Sequence, residues 1–275
     1  ALTPVVMNVS APEIVSWYLI LSVLSSKLHK YHMEKKRVKG ARMLLHETIL
    51  QDPCSTALHL CAGMPTCLLC VCMGGSVYCD DTSLEQIPPL PKDTTHFYGR
   101  FNKIQHVKNT DFINLSKTEL KTIDLTGNQI SEMDEDAFRL LPQLQELLLA
   151  DNNLQALPEL PNTMRHIDAR NNRLLSSGVH PEGFKVKTIQ LEFLYLSNNK
   201  LDYIPTPLPE SLRALHLQNN NIQHLHEGTF CNRHNRNYIR RNLEDIRLDG
   251  NPLDINLFAQ AYICLQRLPR YKQER

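Results

Sequence analysis

Between residues 94 and 253 apolar and polar positions follow one eleven-residue pattern, L-x-x-L-x-L-x-x-N-x-L, seven times over. Clear copies are LKTIDLTGNQI (120–130), LQELLLADNNL (144–154), LEFLYLSNNKL (191–201), LRALHLQNNNI (212–222) and LEDIRLDGNPL (243–253). MRHIDARNNRL (164–174) fits with Ala169 at its third apolar site, and TTHFYGRFNKI (94–104) is a degenerate first copy. The spacing predicts a short strand over positions 3 to 7. The two-residue period then turns positions 3, 5 and 7 outward, while 1, 4, 6 and 11 face a core. Position 9 is asparagine in all seven copies: Asn102, Asn128, Asn152, Asn172, Asn199, Asn220 and Asn251. Its amide is suited to backbone groups buried where the chain turns off the strand, which are costly to leave unpaired.

The pattern is the leucine-rich repeat signature. One repeat cannot bury its own apolar face, so neighbours must stack. The expected fold is an α/β leucine-rich-repeat solenoid with a curved parallel β-sheet on its concave face. Repeats start at 94, 120, 144, 164, 191, 212 and 243, giving steps of 26, 24, 20, 27, 21 and 31 residues. Prolines such as Pro158/Pro161 and Pro205/Pro207/Pro209 block regular helix, so the convex side is expected to be irregular or only briefly helical.

A chain of 275 residues with 42% hydrophobic content can bury a full core, and a net charge of +1 points to no partner. The eight cysteines say more. Cys67, Cys70, Cys72 and Cys79 form C-x2-C-x-C-x6-C just before the repeats, and Cys231 and Cys264 bracket the last one. An open-ended solenoid needs caps, and disulfide caps at both ends imply an oxidising compartment. Zinc is the rival reading of the four-cysteine cluster, although the two separated ligand pairs of a zinc ribbon are missing. Spacing alone fixes no connectivity.

With PTCLLCVC (65–72), SVYCDD (76–81), IPPLPK (87–92), RFNKI (100–104), LEDIRLDGNP (243–252) and AYICLQRLP (261–269), the chain resembles the class III, seven-repeat small leucine-rich proteoglycans over residues 64–269. The resemblance implies pairs Cys67–Cys72 and Cys70–Cys79, and Cys231–Cys264 closing an extended "ear". It divides the chain into a divergent segment 1–63, a cysteine-rich cap 64–93, repeats 94–253 with the ear at 223–242, and a C-terminal cap and tail 254–275. It also implies secretion into extracellular matrix and binding to collagen fibrils, to heparan or chondroitin sulfate, and to growth factors, with homodimers in several members. The alternative it leaves is a soluble modulator of growth-factor or angiogenic signalling.

Residues 1–63 depart from the family, which carries an acidic, tyrosine-bearing region there. Ile14–Leu24 is an apolar run too short to span a membrane, and 27–42 holds seven Lys/Arg against one Glu. The segment is expected to be poorly ordered or loosely helical. Cys54 and Cys61 are close enough in sequence to pair.

Exposed apolar groups on the strand face point to a protein interface, either a ligand or a second copy. The residues are Tyr98, Leu148, His166, Arg170, Phe193, Tyr195, His216 and Arg247. Basic clusters Arg233/Arg236/Arg240/Arg241 and Arg267/Arg270/Lys272 are candidates for sulfated polysaccharide, against the ordinary reading of a solvated surface. The secreted setting argues against nucleic acid. Sequons place N-glycosylation at Asn114 and Asn8. No nucleophile elbow, H-E-x-x-H or P-loop occurs, so neither catalysis nor a cofactor or metal is expected.

Overall fold

The computed structural model describes residues 66–115, 119–179, 190–232, 235 and 237–272. The expectations for residues 1–63, Cys54, Cys61, Asn8, Arg233 and Arg236 lie outside them.

The first described element is a single turn of helix, α1 (Thr66–Leu69), followed by the hairpin β1 (Val71–Met73) and β2 (Ser76–Tyr78). Gly74 and Gly75 turn the hairpin with φ of +57° and +79°, the left-handed pair that a two-residue turn demands. Each repeat then contributes one three-residue strand at its positions 3 to 5. These are β3 (His96–Tyr98), β5 (Thr122–Asp124), β7 (Glu146–Leu148), β8 (His166–Asp168), β9 (Phe193–Tyr195), β10 (Ala214–His216) and β11 (Asp245–Arg247). They form one nine-stranded sheet in the order β1-β2-β3-β5-β7-β8-β9-β10-β11, antiparallel only in the β1–β2 hairpin. The register is repeat on repeat: Leu147 pairs with Ile167, and Ile167 with Leu194. At the far edge the tail covers β11, with the Arg270 N–H donating to Ile246 O and the Leu248 N–H to Arg270 O.

Inward positions form stacked rows with nothing exposed. Position 4 runs Phe97, Ile123, Leu147, Ile167, Leu194, Leu215 and Ile246, and position 11 runs from Ile104 to Leu253, all buried. On the convex side the two short strands β4 (His106–Val107) and β6 (Glu132–Met133) pair in parallel. The rest is extended chain and 3-10 turns at Asn109–Leu115, Ser176–Gly178 and Ile255–Ala261. Strands about 4.8 Å apart on one side and bulkier segments on the other curve the stack toward the sheet. Among the described residues no helix is long and apolar enough to cross a membrane.

Among the described residues three disulfides close the ends. Cys67–Cys72 and Cys70–Cys79 fasten α1 to β1 and to the end of β2, and Cys231–Cys264 ties the ear to the C-terminal cap. The four-cysteine cluster is therefore committed to sulfur–sulfur bonds, and the zinc alternative falls.

The asparagines work as staples between repeats. In Asn128 the Oδ1 accepts the Ile104 N–H of the preceding repeat, and Nδ2 donates to Gly99 O and Leu125 O. The same arrangement recurs at Asn152, Asn172, Asn199, Asn220 and Asn251. At Asn102 the staple reaches into the cap, to Leu84 N–H and Cys79 O.

A second row, at position 8, has no counterpart in the sequence reading. Phe101, Gly127, Asp151, Asn171, Asn198, Asn219 and Gly250 all have φ between +54° and +73°. Four of them link side chain to side chain along the rim: Asn171 Nδ2 to Asp151 Oδ1, Asn198 Nδ2 to Asn171 Oδ1, and Asn219 Nδ2 to Asn198 Oδ1. Gly250 ends the row because a Cβ there would lie 2.0 Å from Asn219 Oδ1. Gly250→Ala is therefore expected to cost about 1–3 kcal/mol, combining left-handed strain with displacement of Asn219. A thermal midpoint equal to wild type would show that the row yields freely.

Candidate binding surfaces on the strand face and the C-terminal cap

Side chains at positions 3 and 5 of neighbouring strands stand about 4.8 Å apart, close enough for rings on successive repeats to touch. Two aromatic clusters result. Toward the N-terminal end, Tyr78 stacks on Tyr98 with centroids 4.9 Å apart, and His96 lies parallel at 6.5 Å. The Arg100 guanidinium sits 5.7 Å from the Tyr98 ring and pairs with Asp80 at 2.5 Å.

The larger cluster spans β8 to β10. His166 meets Phe193 and Tyr195 edge-on, at 5.8 and 5.2 Å, and Tyr195 stacks on His216 at 4.4 Å. Arg170 lies 5.7 Å from the Tyr195 ring and 2.6 Å from Asp168. His216 Nε2 is 2.8 Å from Asp245, which also takes Arg247 at 3.2 Å. Burial holds the His166 imidazole below its usual range, so the ring is neutral at neutral pH, and its Nε2 is buried without a hydrogen bond. Burial also raises the Tyr195 hydroxyl. Burial pushes the Asp245 carboxyl up, but hydrogen bonds from His216 and Arg247 outweigh it and leave the group low.

The structure thus gathers His166, Arg170, Phe193, Tyr195 and His216 into one patch and puts Tyr98 in another. Leu148 lies between them on β7, and Arg247 lies at the C-terminal edge. Tyr78 belongs with Tyr98 but precedes the repeats. Its signal is the string SVYC, a cap strand in register with the first repeat.

The basic candidates divide. Arg241, Arg267, Arg270 and Lys272 are exposed around the C-terminal cap. Arg240 is not a surface charge. It is 5% exposed, and its guanidinium donates to the carbonyls of Phe230, Leu208 and Pro209. A group occupied in that way has no face to offer a polysaccharide, so Arg240 leaves the glycosaminoglycan set. Asn114 is exposed on the 3-10 segment Asn109–Leu115.

Comparison with known proteins fits this architecture. Family models described as leucine rich repeat match residues 100–154 and 190–210. Human epiphycan is 59% identical over 211 residues, covering 77% of this chain and 65% of the relative. Mouse opticin is 58% identical over 207 residues, covering 75% and 62%. The chain thus spans a little under two thirds of the length of these relatives. Identity to epiphycan and to opticin is nearly the same and does not favour opticin.

Among solved structures, a chain in the octameric complex of Latrophilin 3, Unc5D and FLRT2 (LRR) superposes with a TM-score of 0.57 at 25% identity, covering 74% of this chain and 63% of that one. The mouse RP105/MD-1 complex gives 0.54 at 27%, covering 68% and 31%. Sequence shared through the repeats at close to 60% identity points beyond the fold: this chain is a leucine-rich-repeat protein similar to epiphycan and opticin, a likeness consistent with the class III small leucine-rich proteoglycan family.

Proposed function

We propose that the chain is a secreted matrix protein that docks on collagen fibrils through its strand face. In this reading it holds sulfated glycosaminoglycan separately, through Arg241, Arg267, Arg270 and Lys272 at the C-terminal cap. The observation that carries the proposal is the His166–Phe193–Tyr195–His216 cluster, a partly exposed aromatic patch spread over three adjacent strands of the sheet. Aromatic side chains held by neighbours lose little entropy on binding and dominate interface energetics. The paired arginines support the division of labour. Arg100, Arg170 and Arg247 each face an aspartate on the same surface, so the strand face offers no free cationic stripe to a polyanion.

Co-sedimentation of the secreted protein with reconstituted collagen fibrils tests the proposal. Phe193→Ala with Tyr195→Ala is expected to weaken pelleting at least tenfold, on the scale of about 2 kcal/mol or more for a hot spot. Excess heparin is expected to leave wild-type pelleting intact. Unchanged pelleting of the double variant moves the collagen site off this patch.

A further inference from the structure

The charged groups of the strand face are matched in a way that leaves two acids over among the described residues, Asp249 in the last repeat and Glu146 in the interior of the sheet. Arg100 pairs with Asp80, Arg170 with Asp168, and Arg247 with Asp245. Asp124 lies 3.8 Å from Arg100 and is buried. Glu146, exposed at the start of β7, has no basic partner among the described residues; it accepts a hydrogen bond from the Thr122 hydroxyl at 3.2 Å. An unpaired glutamate is ordinary on a solvated rim. This one stands in the interior of the sheet, on the face where every arginine is neutralised.

Thr122 stands across from it on β5, and its other side, toward β8 and β9, is lined by rings. Register places His166 directly across from Glu146, and Phe193 beyond it. Leu148 stands two residues along the same strand, mostly buried, between Asp124 on β5 and Asp168 on β8, with Tyr195 beyond. The His166 ring, kept neutral by its burial, lies against both Phe193 and Tyr195. A carboxylate beside an apolar wall two strands wide suits a side chain that is itself a cation on an aliphatic stem.

We infer that Glu146, with Leu148 and the His166–Phe193–Tyr195 wall, is a docking site for a lysine side chain of a polypeptide partner. The carboxylate takes the charged head, and the stem lies across Leu148 and the rings. Charge complementarity selects this occupant: a sulfated chain would meet Glu146 and the wall with no free cation. The inference rests on the reading that the strand face is the collagen-docking surface, and it names the chemistry that surface recognises.

The experiment uses the full chain with excess heparin present, so that the basic groups of the C-terminal cap are occupied. Wild type, Glu146→Gln, Glu146→Lys and the Phe193→Ala/Tyr195→Ala variant are pelleted with preformed collagen fibrils, native or with their lysines acetylated. Thermal unfolding first checks that the exposed Glu146 substitutions leave the fold intact. Glu146→Gln is expected to weaken binding about tenfold and Glu146→Lys to abolish it. Acetylated fibrils are expected to weaken wild type by a similar factor but to weaken Glu146→Gln no further.

If both Glu146 variants pellet like wild type while the aromatic variant does not, the cation site is wrong and the docking face stands. An additional, undiminished loss of Glu146→Gln on acetylated fibrils also overturns it, because the lysines then act elsewhere. Failure of wild type to pellet, or full pelleting of the aromatic variant, defeats the docking reading and the inference together.

Discussion

Asn152→Ala is expected to lower the unfolding free energy by about 3 kcal/mol, more than any surface change in the repeats. The side chain makes four bonds. It accepts the Ile130 N–H at 2.9 Å and donates to Leu125 O, Leu149 O and Ala150 O at 3.0 to 3.1 Å. They are not equally exposed to the loss. Leu125 O still receives Asn128 Nδ2, and Leu149 O still receives Asn172 Nδ2. The Ile130 N–H has no such second partner and is left buried and unpaired, at about 1–3 kcal/mol. Ala150 O likewise retains the Gly127 N–H, so the remainder is the lost amide bonds to these carbonyls and the void left by the side chain.

Asn152→Asp tests the same geometry differently. It retains an acceptor for Ile130 but turns a carboxylate toward three carbonyl oxygens, so it is expected to be no more stable than the alanine variant. Urea unfolding of the disulfide-intact chain measures both. A loss below about 1 kcal/mol for Asn152→Ala would mean that the staples contribute nothing beyond the leucine rows.

The features legible in the sequence are those that repeat. Positions 1, 4, 6, 9 and 11 recur because each sits in the same place in every layer, so seven weak copies together locate strands, core and staples. The left-handed position 8 recurs just as regularly in space but not in residue type. Asp151, Asn171, Asn198, Asn219, Gly127 and Gly250 are residues that tolerate positive φ, whereas Phe101 is not and masks the pattern. The Phe101 side chain is 60% exposed, and a Cβ on Gly127 would lie 2.5 Å from its ring, so the first copy balances its strain against a contact only a glycine neighbour allows.

Charge pairing is hidden for a related reason. The eleven-residue pattern shows which side chains leave the same face, but not that Arg170 and Arg247 turn back to aspartates two residues earlier in their own repeats while Arg100 reaches Asp80 in the cap. Glu146 therefore reads as one polar position among many until Arg100, Arg170 and Arg247 are seen to be taken. The ear is harder still, since it interrupts the repeat and no periodicity governs it. Arg240 and Arg241 are adjacent in the chain, yet one is buried and the other exposed.

Arg240 carries the second large expectation. It joins three parts of the C-terminal region: its Nη atoms reach Phe230 O in the ear and Leu208 O and Pro209 O in the preceding repeat, and its backbone N–H reaches Cys264 O in the cap. Among the described residues no carboxylate pairs with it. Burial presses its pKa down, so the charge is costly there, although a guanidinium remains protonated.

Arg240→Met removes that cost but strands the Leu208 and Phe230 carbonyls, while Pro209 O retains the Leu212 N–H. Two buried acceptors at about 1–3 kcal/mol each outweigh the partial relief of desolvation, for an expected net loss of about 2 kcal/mol. Arg240→Lys keeps a charge in the same place but concentrates it on one nitrogen that cannot span the acceptors. It is expected to be less stable than the methionine variant by about 1 kcal/mol. That order, lysine below methionine, is the reverse of what a surface polysaccharide contact would give. Heparin retention of the folded methionine variant should match wild type, whereas Arg267→Ala/Arg270→Ala/Lys272→Ala should elute at lower salt. A lysine variant as stable as wild type, or a methionine variant with weakened heparin retention, would return Arg240 to the surface.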